Sequence, residues 1–185
     1  MRARDDVGGI AMPNLGSRAA VALALSLCCG GALAQTAIPP APRDFAAMAA
    51  QSDHYETLAA TVALIQAQDP RIRAFAETML RDHARTAETL RQAAMTAGLP
   101  PPTPGLSGDE AALLSALQGA RGHDFDRAYA RQQVVAHAAA VAVEESFADA
   151  GANPVLRAAA KAGLPVIRDH LMAARQLLKD VGGVD

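Results

Sequence analysis

The sequence predicts an all-α fold, an antiparallel four-helix bundle built from two helical hairpins. Three observations predict it. Nearly one residue in four is alanine, the strongest helix former, whereas aromatics make up only 3% of the 185 residues and tryptophan is absent. Apolar residues recur at alternating steps of three and four. Two Asx-Pro pairs, Asp69-Pro70 and Asn153-Pro154, divide the periodic segments at the places where tight turns belong.

The chain opens on a segment that reads as an export signal. Arg18 precedes the apolar run Ala19 to Leu27, and small residues lead to Ala32-Leu33-Ala34, an A-x-A cleavage pattern that makes Gln35 the first mature residue. The run is too short to span a bilayer. Asp5 and Asp6 are unusual so close to a signal, and initiation at Met12 would remove them. Residues 1–34 are therefore assigned as a cleaved signal peptide, and the product is expected in the periplasm or outside the cell. Lipid anchoring through Cys28 or Cys29 fits less well, because Leu27 and Ser26 are poor residues for such a site. Both cysteines leave with the signal, so the mature chain has no disulfide and no thiolate.

Residues 35–43 form a proline-rich leader, and the bundle domain spans 44–182. The first helix is expected over about Asp44 to Gln68, with Asp44 as N-cap. The second runs from Pro70 to Thr96 and stops at Gly98. Its stripe Ile72, Ala76, Met79, His83, Thr86, Leu90 faces the core. Residues 99–106 (LPPPTPGL) are excluded from helix, and Ser107 to Glu110 form a capping box for a short helix to about Leu117. Gly119, Gly122 and His123 interrupt, with His123 read as a cap. The third long helix covers Asp124 to Ala150, ended by Gly151. The fourth runs from Pro154 to about Val181, with Pro165 expected to kink it and with Gly163, Ile167, His170, Ala174, Leu177 and Val181 as its stripe. The middle connection is long enough to cross the bundle from end to end.

Composition and motifs exclude several functions. A net charge of −2 does not suit a general nucleic-acid binder. No Gly-rich phosphate loop follows the signal, and Ser52, Ser107, Ser115 and Ser146 lie in no hydrolase motif. Arg71, Arg73, Arg81, Arg85 and Arg91, interspersed with Glu77 and Glu88, read as a solvated face, with a basic stripe for anionic lipid as a lesser alternative.

The chemistry concentrates at one level of the bundle. Glu56 lies about 13 residues before the first turn and His83 about 14 after it, which places both roughly 20 Å from that turn at ~1.5 Å per residue. His137 and His170 flank the second turn at comparable depth. Each long helix thus contributes one residue to a mid-bundle layer. Glu56, His83, His137 and His170 form a candidate site for a divalent transition metal, with zinc, copper or iron as the natural choices. His54 is an alternative to Glu56, and Met79 with His83 is a soft pair suited to Cu(I). The competing reading is a buried polar layer in which Glu56 pairs with histidines and Tyr55 or Tyr129 completes the network, binding nothing.

A ferritin-type di-iron centre does not fit. Such a centre needs about four carboxylates and Glu-x-x-His on two helices, and Leu80, Val134 and Ile167 occupy the positions three before the histidines. Glu144 is roughly 10 Å along the axis from His137 and cannot share its metal. Asp82 and Asp169 adjoin histidines but point about 100° away, which makes them solvent-facing groups or supports for the ligands.

These blocks resemble an exported bacterial family known only as a domain of unknown function. The matching residues are Asp69-Pro70, Phe75, Met79 and Asp82-His83, then Phe125-Asp126-Arg127-Ala128-Tyr129 with His137, then Leu164-Pro165 and Asp169-His170-Leu171. The chain departs from the family pattern at Leu58, where a second glutamate is usual, and at Ala136, where aspartate is. The resemblance covers about residues 44 to 180 and implies export and a ferritin-like fold, without a known reaction.

The expected role is an exported cell-envelope protein that binds a transition metal. The alternative is a non-catalytic structural or interaction bundle, and a metal-dependent enzyme comes third. The expected partners are a metal ion or an envelope protein, with self-association open, and neither nucleic acid nor a membrane span in the mature chain.

Overall fold

A computed structural model describes residues 38–182. The signal-like segment and its cleavage point lie outside them. Five helices follow in order: α1 (Pro42–Gln66), α2 (Pro70–Thr96), α3 (Gly108–Gly119), α4 (Gly122–Ala150) and α5 (Pro154–Asp180). Among the described residues there is no strand. No helix there is long and apolar enough to cross a membrane.

The predicted punctuation forms as expected at most ends. The Asp69 side chain accepts from Arg71 N, and that of Asn153 from Val155 N and Leu156 N. Ser107 and Glu110 close a capping box. Gly98 takes φ +73°, the left-handed geometry that ends α2. Two details differ. The first helix begins at Pro42 and ends at Gln66, because proline at the first helical position pre-sets φ one turn early, so Asp44 lies in the first turn rather than capping it. Helix α4 begins at Gly122, whose φ of +60° turns the chain into the helix, and His123 falls inside its first turn without capping. Pro165 lies inside helix α5, as the sequence places it.

Helices α1 and α2 pack as one antiparallel hairpin, and α4 and α5 as the other. Side-chain contacts fix how the hairpins meet. At one end, buried Asp126 at the start of α4 accepts from the backbone N–H groups of Gln68 (3.1 Å) and Asp69 (3.0 Å) in the α1–α2 turn. Arg71 reaches Asp180 at the end of α5 there too. At the other end Phe45 of α1 stacks on Phe147 of α4, with ring centroids 3.9 Å apart. The connection carrying α3 therefore crosses the full length of the bundle, the connectivity of ferritin-like bundles.

Two apolar clusters result. One surrounds Tyr55, Ile72, Met79, Phe125, Tyr129 and Leu177 near the Asp126 end. The other surrounds Phe45, Leu90, Phe147, Leu156 and Leu164 near the α4–α5 turn. Between them lies the polar layer. Gly151 lets α4 end this way, because a Cβ there would stand 2.6 Å from the Phe147 carbonyl oxygen.

Asp126 sets the register between hairpins through two charge-assisted bonds to N–H groups. Asp126→Ala should cost about 3 kcal/mol and Asp126→Asn less, read from urea denaturation midpoints at neutral pH.

Candidate metal centre

Helical phase brings one imidazole from each of three helices to the same point. Ligand atoms of His83 (α2), His137 (α4) and His170 (α5) all lie within 4.8 Å of one another. Their ring centroids stand 5.3 to 5.7 Å apart. All three side chains are buried.

In each ring one nitrogen is committed and the other is not. His83 Nδ1 is 2.7 Å from Asp53 Oδ1, His137 Nδ1 is 2.9 Å from the Gln133 carbonyl oxygen, and His170 Nε2 is 3.1 Å from Asp82 Oδ2. Carboxylates and carbonyls accept, so these nitrogens carry the protons, a tautomer assigned from the partners. The remaining atoms, His83 Nε2, His137 Nε2 and His170 Nδ1, are buried without a hydrogen-bond partner. Buried polar atoms are normally paired. Each of the three clustered rings thus keeps one unpaired lone pair, and an oriented imidazole tethered through its second nitrogen is the usual form of a histidine ligand.

The tethers are themselves held. Thr86 Oγ1 donates to Asp53 Oδ1 at 2.8 Å. Asp82 also receives Arg85, an exposed residue of the same helix. Of the two aspartates adjoining histidines, Asp82 supports His170 across the bundle, whereas Asp169 is exposed.

Glu56 is buried beside the cluster. Gln133 Nε2 donates to its Oε2 at 2.6 Å, and its Oε1, otherwise unpaired, lies 3.7 Å from His137 Nδ1. It is not one of the three side chains that converge within 4.8 Å. His54 is half-buried and also outside them. Met79 is fully buried in the apolar cluster below. Tyr55 donates to Gln132 Oε1 at 2.8 Å, and Tyr129 OH has no partner.

Burial dominates the electrostatics. It pushes the Glu56 carboxyl up to about 7, against the pull of His83, the Gln133 hydrogen bond and His170. It lowers His137 to about 4, helped by repulsion from His83. It lowers His170 too, against the Asp82 hydrogen bond. In His83 the same penalty is outweighed by the Asp53 hydrogen bond and by the charges of Glu56 and Asp53, so its value rises. His137 is thus neutral at physiological pH, with its Nε2 lone pair available.

Asp53 and Gln133 were the functional residues that sequence reasoning missed. Asp53 precedes Glu56 by three positions and Gln133 precedes His137 by four, so helical spacing alone puts each on the site's face. That signal was available.

A cavity of about 820 Å³ opens beside the cluster, with His83, His137, Glu56, Asp53 and Glu144 among its lining residues. Burial and the nearby Asp53 raise the Glu144 carboxyl to about 7 from its usual 4.5. The fold therefore favours protonated Glu144. Its contribution is greatest below the ordinary carboxylate value and is lost as pH rises through about 7. Glu144→Gln should raise the melting temperature at pH 8 by a few degrees and leave it nearly unchanged at pH 4.5, in paired thermal scans.

Comparison with known proteins agrees with this architecture. The family model described as "Domain of unknown function (DUF4142)" matches residues 29–177. No curated protein matches the sequence. Two solved structures share the fold at 20% identity. A DUF305 fragment from Deinococcus radiodurans superposes with a TM-score of 0.66 over 77% of this chain and 99% of its own. CopM in the Cu(I)-bound form does so with 0.65 over 78% of this chain and 99% of its own.

Proposed function

The chain belongs to the DUF4142 family, and on that footing we propose that it is an exported transition-metal-binding protein of the cell envelope, with copper as the favoured metal. The observation that carries this reading is the convergence of three buried imidazoles, each with one nitrogen tethered and the other buried without a partner. A purely structural polar layer would be expected to pair these atoms with one another or with the surrounding side chains.

His83 Nε2, His137 Nε2 and His170 Nδ1 would hold the ion, with Glu56 Oε1 as the nearby carboxylate for a fourth position. A bound ion supplies positive charge that the four unpaired acceptors lack. Zinc prefers four-coordinate sites, and imidazole also suits copper and iron. Copper is preferred because the converging set contains three nitrogens, and because a protein of the same fold is known in a Cu(I)-bound form. The role assigned to the protein is holding or sensing the ion. Export rests on the signal-like pattern ending at Ala34.

Metal analysis by mass spectrometry tests this on protein isolated from periplasm without chelator. About one equivalent of copper is expected, lost in the double variant His83→Ala, His170→Ala. Anaerobic Cu(I) competition titrations should show Asp53→Ala and Asp82→Ala weakened by roughly 10–100-fold, the usual effect of removing a ligand's support. Absence of metal, with no uptake of copper, zinc or iron on titration, would leave the structural layer as the correct reading. N-terminal sequencing of the same material should begin at Gln35.

A further inference from the structure

The cavity beside the histidines is far larger than an ion needs. At about 820 Å³ it falls in the range of small-molecule pockets, and its lining is mostly apolar with a minority of polar groups. Phe45, Leu90, Val143 and Ile167 give the apolar surface. Met48, on its lining, is 43% exposed, so the cavity communicates with solvent.

Its polar wall has a single chemical character. Every unpaired buried polar atom among the lining residues is an acceptor: Glu56 Oε1, Glu144 Oε2, His83 Nε2 and His137 Nε2. Glu56 is only 1% exposed. The lining also includes Asp53, Asp82, Asp109 and Glu110, against Arg85 as the one Lys or Arg, and Arg85 is already paired with Asp82. A ligand that satisfies such a wall must donate hydrogen bonds and carry positive charge, and its body must be apolar.

We propose that this cavity binds an amphiphilic organic amine, with the ammonium group held by Glu144 Oε2 and the apolar body lying along Phe45, Leu90, Val143 and Ile167. At pH 8, above the raised value of Glu144, a neutral alcohol of the same shape gains the apolar contacts but leaves the carboxylate uncompensated. A carboxylic acid adds like charge and is rejected. The ammonium's anchor is distinct from the proposed metal ligands, because Glu144 is not one of the converging side chains, although Glu56, His83 and His137 also line the cavity.

Gly163 offers a clean way to close the cavity. A Cβ there would meet only Ile167 Cδ1, at 3.9 Å, so a larger side chain enters free space and improves helix propensity.

Isothermal titration of the metal-free full mature chain with 4-phenylbutylamine, 4-phenylbutanol and 4-phenylbutyrate tests the proposal. The amine should bind at least tenfold more tightly than the alcohol, and the acid least. Glu144→Gln should weaken the amine by roughly 10–100-fold and leave the alcohol unchanged. Gly163→Leu should abolish binding of both while circular dichroism stays native. The variant His170→Ala, at the one histidine of the cluster that does not line the cavity, should keep amine binding, which separates failure of this site from failure of the metal site. Equal affinity for amine and alcohol, no amine binding, or amine binding indifferent to Glu144→Gln and Gly163→Leu would each overturn it.

Discussion

Three hydrogen bonds decide what the middle of this bundle can be. Asp53, the Gln133 carbonyl and Asp82 each take one imidazole N–H, and by doing so fix which nitrogen of each ring remains a bare lone pair. Without those acceptors the rings could rotate and satisfy one another, and the layer would be self-contained. With them the layer is left electron-rich and unsatisfied. The surrounding fold makes this tenable. Apolar clusters on both sides hold the helices together, so the layer need not contribute to stability.

The other parts of the molecule can be read as support for that arrangement. Asp126 fixes the axial register between hairpins, and the Phe45–Phe147 stack fixes it at the far end. A slip of one residue would rotate a histidine by about 100° and break the convergence. Alanines along the walls let the helices approach closely where they touch, and leave the cavity where they do not.

The helices were legible because their signals are local. Asx-Pro pairs, a capping box and glycine stops each act within a turn or so of sequence, and all were readable. The common level of His83, His137 and His170 was readable too, because rise per residue is fixed. Angular position was harder. Glu56 shares the level and lies beside the rings, but its free oxygen faces the tethered nitrogen of His137. That depends on the rotation of α1 about its axis, which is set by packing against α2, α3 and α4. Asp82 shows the same limit from the other side. Adjacency to His83 ruled it out as a partner of that ring, and only the fold reveals that it serves His170, 88 positions away.

The division into hairpins also has a consequence in time. Each hairpin is closed by a short turn and can form from contacts near in sequence, which is fast. The bonds that cross between hairpins join residues far apart, as Gln133 and Glu56 are at 77 positions. Docking of the halves, with its burial of charged groups, is then the slow, late event. The seam that closes last in this order is the one that carries both the imidazoles and the cavity.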